Sequence, residues 1–180
     1  MIEKRMRGPK GIAGLKRLSE DCGGGILVEV GSFAGESAVV FAQSGKFDRI
    51  YCVDPWDRGQ YTGRELPERS KFYLDIDMGA VEYAFDITTA AHQVIVKMKM
   101  TSEKAAGEIG LIDMVYIDAI HEYEFVKRDI SLWQGKVKHG GWICGHDYCK
   151  HKFSGVVRAV DEAFGKPMVY EDDSWAVRNQ

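Results

Sequence analysis

Apolar residues recur along the chain in short runs separated by longer amphipathic stretches. Residues 26–30 form a run rich in β-branched side chains. Residues 49–56, 93–98, 112–118 and 140–148 repeat the pattern. Runs of this length, apolar throughout and not alternating, predict strands buried on both faces. Between them the period changes. Ile12, Leu15 and Leu18 predict a short helix ended by the glycines at 23–25. Val40 and Phe41 follow Ser37 in a second helix, and residues 45–48 read as a turn. Met78, Val81, Phe85 and Ile87 mark a helix over 76–92, and Ser102 is placed as the N-cap of another. A loop and helix follow residue 118, and Val156, Val157, Val160 and Phe164 give 155–164 a helical face. Residues 167–170 and 174–177, with acids between, predict a closing β-hairpin. Strand alternates with helix from end to end, so the expected fold is a Rossmann-like, doubly wound α/β sheet in one domain spanning 1–180. Residues 57–75 are polar and aperiodic. A loop of that length in a compact domain predicts a mobile segment or a lid over a substrate.

Composition narrows the function without naming it. The chain has 180 residues, 45% of them hydrophobic, and a net charge of −3. A near-neutral balance gives no bulk attraction for nucleic acid. The basic cluster Lys4, Arg5, Arg7 and Lys10 reads as a solvated end. Cys22, Cys52, Cys144 and Cys149 are scattered, with no C-x-x-C pair. That usage fits a reduced, cytoplasmic protein better than a disulfide framework. No leader-like apolar core and no membrane-length apolar run is present, so neither a signal peptide nor a membrane partner is expected.

The chemistry begins at the first strand's exit, where Gly31 and Gly35 are spaced Gly-x-x-x-Gly and Glu29 lies two residues upstream. A dinucleotide fold would carry Gly-x-Gly-x-x-Gly for a pyrophosphate, and a P-loop would carry Gly-Lys-Ser/Thr. A carboxylate at 29 would repel a pyrophosphate but suits a ligand with a positive end, such as the sulfonium amino-acid nucleoside S-adenosyl-L-methionine. The second strand ends on Asp54, 19 residues after Gly35. An acid at that place accepts hydrogen bonds from ribose hydroxyls in α/β nucleotide folds.

The stretch from Val28 to Val39 resembles the first motif of class I methyltransferases, in particular the catechol O-methyltransferase branch. The segment Asp118-Ala-Ile-His121-Glu-Tyr123 after the fourth strand and Gly140-Gly141 through His146-Asp147-Tyr148 at the fifth resemble recurring segments of the same group. The likeness runs from about residue 8 to residue 178 and implies a mostly parallel sheet with a reversed last strand. It further implies a lid formed by residues 1–25, contact of Glu29, Gly31, Ser32, Phe33, Gly35, Ser37, Asp54, Trp56 and Asp118 with S-adenosylmethionine, and an adenine site near Met100, Thr101 and Ser102. Trp56 is also readable as a cap on the core, though the resemblance favours cofactor contact, and Thr101–Ser102 is equally readable as plain helix capping.

Two uses of the acids and imidazoles at the fourth and fifth strand ends stay open. Asp118, His146 and Asp147 correspond to the magnesium ligands of the catechol enzymes. A histidine in that set suits zinc, manganese or iron better than magnesium. Alternatively no metal binds, and His121 or His146 is the base that takes the acceptor's proton. His121 stands three residues after Asp118, where the catechol enzymes carry a lysine. The expected activity is methyl transfer to a small-molecule acceptor, at a hydroxyl oxygen. An NAD-linked oxidoreductase and a non-catalytic cofactor-binding protein are the alternatives. The oligomeric state is open, a dimer included.

Overall fold

A computed structural model describes residues 8–57, 59 and 75–180. The 57–75 segment therefore falls almost wholly outside the described residues. Helix α1 (Pro9–Cys22) precedes β1 (Gly25–Val30), α2 (Glu36–Gln43) and β2 (Phe47–Val53). Then come α3 (Met78–Thr89), β3 (Ile95–Met98), α4 (Ser102–Glu108), β4 (Ile112–Ile117), α5 (Tyr123–Gln134), β5 (Val137–Gly145) and α6 (Ser154–Phe164). The hairpin β6 (Met168–Val169) and β7 (Trp175–Arg178) closes the chain. The strands form one sheet in the order β3-β2-β1-β4-β5-β7-β6. β1 to β5 are parallel, and β7 runs antiparallel to β5 and to β6. The order reverses beside β1, so β1 and β4 flank the switch point at which open α/β sheets bind ligands.

Two cores sandwich this sheet, and the strand period sorts residues between them. Leu27, Ile50, Cys52, Met114, Tyr116 and Cys144 face α1, α2 and α3, where they meet Leu15, Leu18, Phe41 and Phe85. Val28, Val30, Val53, Val115, Ile117 and Ile143 face the other way, against Ala105, Val126, Ile130, Trp133 and Val160. Successive residues of a strand point to opposite faces, so a strand apolar at every position requires helices on both sides. Helix α1 buries Leu15 and Leu18 completely beneath the first core.

Several element ends differ from the expectation. Phe47 and Asp48 belong to β2 rather than to the preceding turn, because the Phe47 ring packs edge-on against Phe41 at 5.9 Å. β5 starts at Val137, which pairs with Ile112, and a register shift follows before Met114. Thr101, not Ser102, caps α4, its side chain accepting from the Lys104 amide. Ile87, expected on the inner face of α3, is 61% exposed. Among the described residues no helix is long and apolar enough to cross a membrane.

Candidate active site

The exits of β1, β2, β4 and β5 converge on a cleft of about 680 Å³, within the range of small-molecule sites. Its floor is the turn after β1. Gly31 has φ +90°, and a Cβ there would stand 2.3 Å from the Asp118 carbonyl oxygen. Glycine is therefore required twice, by conformation and by the approach of the β4 exit. The Gly31 amide donates to Val53 O and the Asp118 amide to Val30 O, both at 2.8 Å, which locks the three strand ends together. Gly35 at φ +82° starts α2, where a Cβ would meet Thr89 and Phe85.

Asp54 sits just past β2 and is 6% exposed. Its Oδ2 accepts from the Phe33 amide at 3.0 Å and its Oδ1 from the Trp56 amide at 2.8 Å. Both donors lie on residues with left-handed backbone, Phe33 at φ 43° and Trp56 at φ 45°. Burial pushes the Asp54 carboxyl up to about 6, with the two amides holding it back. The same backbone turn aims Trp56 away from the cleft. Its Nε1 donates to Phe33 O at 2.8 Å, its ring lies 4.9 Å from that of Phe85, and it is 4% exposed.

A second group of side chains gathers where β4 and β5 end. His121 Nε2 lies 2.8 Å from Asp147 Oδ2 and 3.9 Å from Asp118 Oδ1. His146 Nδ1 lies 3.0 Å from Asp147 Oδ1, and its Nε2 faces Asp172 Oδ2 at 3.8 Å. Asp147 has φ 64°, a strained conformation for a residue with a side chain. Burial opposes the charge on His121, but Asp118 and Asp147 outweigh it and raise its pKa to about 10. Burial likewise works against the Asp147 carboxylate, yet His121 and His146 hold its pKa well below the usual range. The donor atoms of Asp118, His121 and Asp147 all lie within 4.8 Å of one another. Among the described residues this is the set with metal-ligand spacing, and His146 Nδ1, named with Asp118 and Asp147 from the sequence, also lies 3.9 Å from Asp118 Oδ1.

Of the residues singled out in the sequence, Gly31, Ser32, Phe33, Ser37, Asp54, Thr101, Ser102, Asp118, His121, His146 and Asp147 line this one cleft. Glu29, Gly35, Trp56 and Met100 do not. Glu29 is fully buried within β1, 3.5 Å from the Cys52 thiol. The sequence reading passed over Glu103, Phe125, Arg128, Asp129 and Phe153, which also line the cleft. Asp129 was findable, being an acid on the buried α5 stripe of Val126, Ile130 and Trp133. Phe153, whose ring lies 4.8 Å from that of His121, carried no signal.

Solved structures with this fold carry different names. The O-methyltransferase NovP is 16% identical, with a TM-score of 0.68 over 98% of this chain and 82% of NovP. Cofactor-bound Rv0187 from MTB is 13% identical, with a TM-score of 0.65 over 98% of this chain and 82% of its own. Precorrin 8W decarboxylase from Methanobacterium thermoautotrophicum is 14% identical, with a TM-score of 0.63 over 97% of this chain and 91% of its own. At such identities the likeness establishes the architecture, and the names show that one architecture serves more than one reaction. No curated protein matches the sequence significantly. A family model described as a methyltransferase domain does match, over residues 28–148. That span runs from β1 to just beyond β5 and includes Asp54, Asp118, His121, His146 and Asp147. It is more than half of the chain, and the chain belongs to this methyltransferase family.

Proposed function

We propose that the protein transfers the methyl group of S-adenosylmethionine to a hydroxyl oxygen of a small-molecule acceptor. One observation carries this reading: Asp54 and the glycine turn line the same cleft as the Asp118–His121–Asp147 cluster. A nucleoside side and an acid–imidazole side facing one volume suit a transfer between two bound molecules. The name of NovP supports oxygen as the target.

The residues present fit the cofactor. Asp54 gives one lone pair of each oxygen to a backbone amide and keeps another for a ribose hydroxyl. Gly31 leaves the floor of the turn bare of side chain, and Thr101 and Ser102 wall the purine side. When bound, the cofactor supplies an electrophilic methyl group on a cationic sulfur. The protein's own part is to hold the acceptor in line with that methyl, an orientation effect worth up to roughly 7–11 kcal/mol. His121, a cation at neutral pH when its pKa is about 10, faces the negative charge that develops on the acceptor oxygen. His146 is the group assigned to take the acceptor's proton.

The spacing of Asp118, His121 and Asp147 favours a second reading of that cluster. Two carboxylates and an imidazole fit a divalent ion of the zinc, manganese or iron class. Such an ion would polarise the acceptor oxygen as a Lewis acid. Turnover of methyl-labelled S-adenosylmethionine on a panel of phenols and alcohols tests the main proposal. Absence of S-adenosylhomocysteine binding by calorimetry, or binding of NAD in its place, would overturn it. EDTA separates the two readings of the cluster. Activity lost to EDTA and restored by a divalent ion assigns the metal, whereas undiminished turnover leaves His121 as the charge partner.

A further inference from the structure

Asp172 lies outside the span that matches the family model, which ends at residue 148, yet it faces a histidine of the cleft. It stands in the turn between β6 and β7, and its side chain is 1% exposed. The turn is tied down on both sides. The Tyr170 amide donates to Ser174 O at 2.8 Å, and the Tyr148 amide, at the exit of β5, donates to Asp173 O at 2.9 Å. The carboxylate is held as firmly. The Ser174 amide donates to Asp172 Oδ1 at 3.1 Å, and the Ser174 hydroxyl donates to Oδ2 at 2.9 Å. A hydroxyl has one proton to give, so Ser174 Oγ accepts from the buried Tyr116 hydroxyl, 3.2 Å away. Helix α1 closes in from another side: a Cβ on Gly14 would stand 2.1 Å from Asp172 Oδ1. Glycine weakens a helix interior, and here it makes room for the carboxylate.

This packing aims Oδ2 at His146, whose Nε2 lies 3.8 Å from it. On the other side of the same ring, Nδ1 lies 3.0 Å from Asp147 Oδ1. The Asp147 contact has hydrogen-bond length, whereas the Asp172 contact is longer than a hydrogen bond and acts through charge alone. The ring torsion of a histidine is broad and roughly two-fold. A single contact at Nδ1 therefore leaves the imidazole able to swing about that point. A second, immobile acid across the ring removes this freedom.

We infer that Asp172 is a positioning residue: it holds the His146 imidazole from the Nε2 side, opposite Asp147, and keeps the ring at the angle that proton removal from the acceptor requires. The inference rests on the reading of His146 above as the group that takes that proton. Tyr116 and Ser174 do not line the cleft. Their part is to aim Oδ2, so the closing hairpin contributes to the site without touching either bound molecule.

Asp172→Asn in the full chain keeps the shape of the side chain and removes its charge, and two readouts test the assignment. The first is ¹³C relaxation dispersion on the His146 ring, in histidine-labelled protein with EDTA present. Wild type should give a flat profile, and the variant should show exchange on the μs–ms timescale. The second is methyl transfer to an acceptor that wild type turns over. The variant's kcat should fall roughly tenfold or more, with the acceptor KM unchanged within about twofold, because orientation of the ring counts only in the transition state. A flat profile in the variant, an unchanged kcat, or a loss carried by KM would overturn the assignment. If wild type methylates no acceptor, the proton-removal reading fails, and the ring profile alone decides whether Asp172 holds His146. Should Asp172→Asn not fold, Ser174→Ala replaces it, since it removes the hydroxyl that aims Oδ2. Ring exchange and a kcat lowered by roughly threefold or more are then expected. A ring profile like that of wild type sinks the proposal.

Discussion

Replacing Asp54 by asparagine separates its cost to the fold from its use to the ligand. The carboxyl is buried and its pKa rises from 3.8 to about 6 on folding. The folded protein thus keeps the proton up to about pH 6, while the unfolded chain releases it near pH 3.8. Between those values the unfolded state binds fewer protons, so stability falls as pH rises through the window. A gap of about two pKa units corresponds to roughly 3 kcal/mol lost by the time both states are ionised. Asparagine cannot titrate. It also keeps only one oxygen for the two amides of Phe33 and Trp56, a loss of about 1–3 kcal/mol that does not vary with pH. The variant's stability relative to wild type should therefore rise by about 2 kcal/mol between pH 4 and pH 8, whatever its offset at either end. Urea unfolding followed by circular dichroism at several pH values reads this difference directly. A difference that stays flat within about 0.5 kcal/mol, or that grows towards acid, would refute the burial argument. The same variant should bind S-adenosylhomocysteine roughly tenfold more weakly or worse, because one acceptor replaces a charged pair.

Gly31→Ala should destabilise the protein by more than about 2 kcal/mol, since its methyl would stand 2.3 Å from Asp118 O at a φ of +90°. A fall of some 5 °C or more in Tm is expected for a chain of this size, and an unchanged Tm would show that the turn relaxes freely. Asp147→Asn removes one of the two acids that hold His121 charged. The imidazole pKa, followed by NMR titration, should drop by about one unit or more. The stability that His121 contributes is present below its ordinary pKa of 6.5 and lost as pH rises through about 10, so the variant should lose less stability than wild type across that range. A His121 pKa that stays near 10 would transfer the pairing to Asp118 alone.

The layered sheet was legible because burial on both faces leaves a plain mark. Leu27 and Val28 enter opposite cores, and a strand with no polar alternation has no other way to be satisfied. Asp54 and Asp118 were legible for a related reason, as single acids that close apolar runs and therefore lie at the carboxyl edge of the sheet. Element ends were less so. Phe47 joins β2 through its contact with Phe41, and no local pattern records a contact made across the core.

Direction was the information that the pattern lacked. Trp56 follows Asp54 by two residues and could have pointed into the cleft. Its left-handed backbone sends the indole to Phe85 and leaves its amide to Asp54. Asp147 makes the converse turn. Its φ of 64° swings the carboxylate to a place where one oxygen meets His121 and the other His146. A non-glycine residue held in this region costs about 1–3 kcal/mol and persists only when its surroundings over-determine it. Two imidazoles on one carboxylate are such surroundings. Strain at Asp147 and the raised pKa of His121 are thus two sides of one arrangement, and a change that frees the Asp147 backbone should loosen the hold on both histidines.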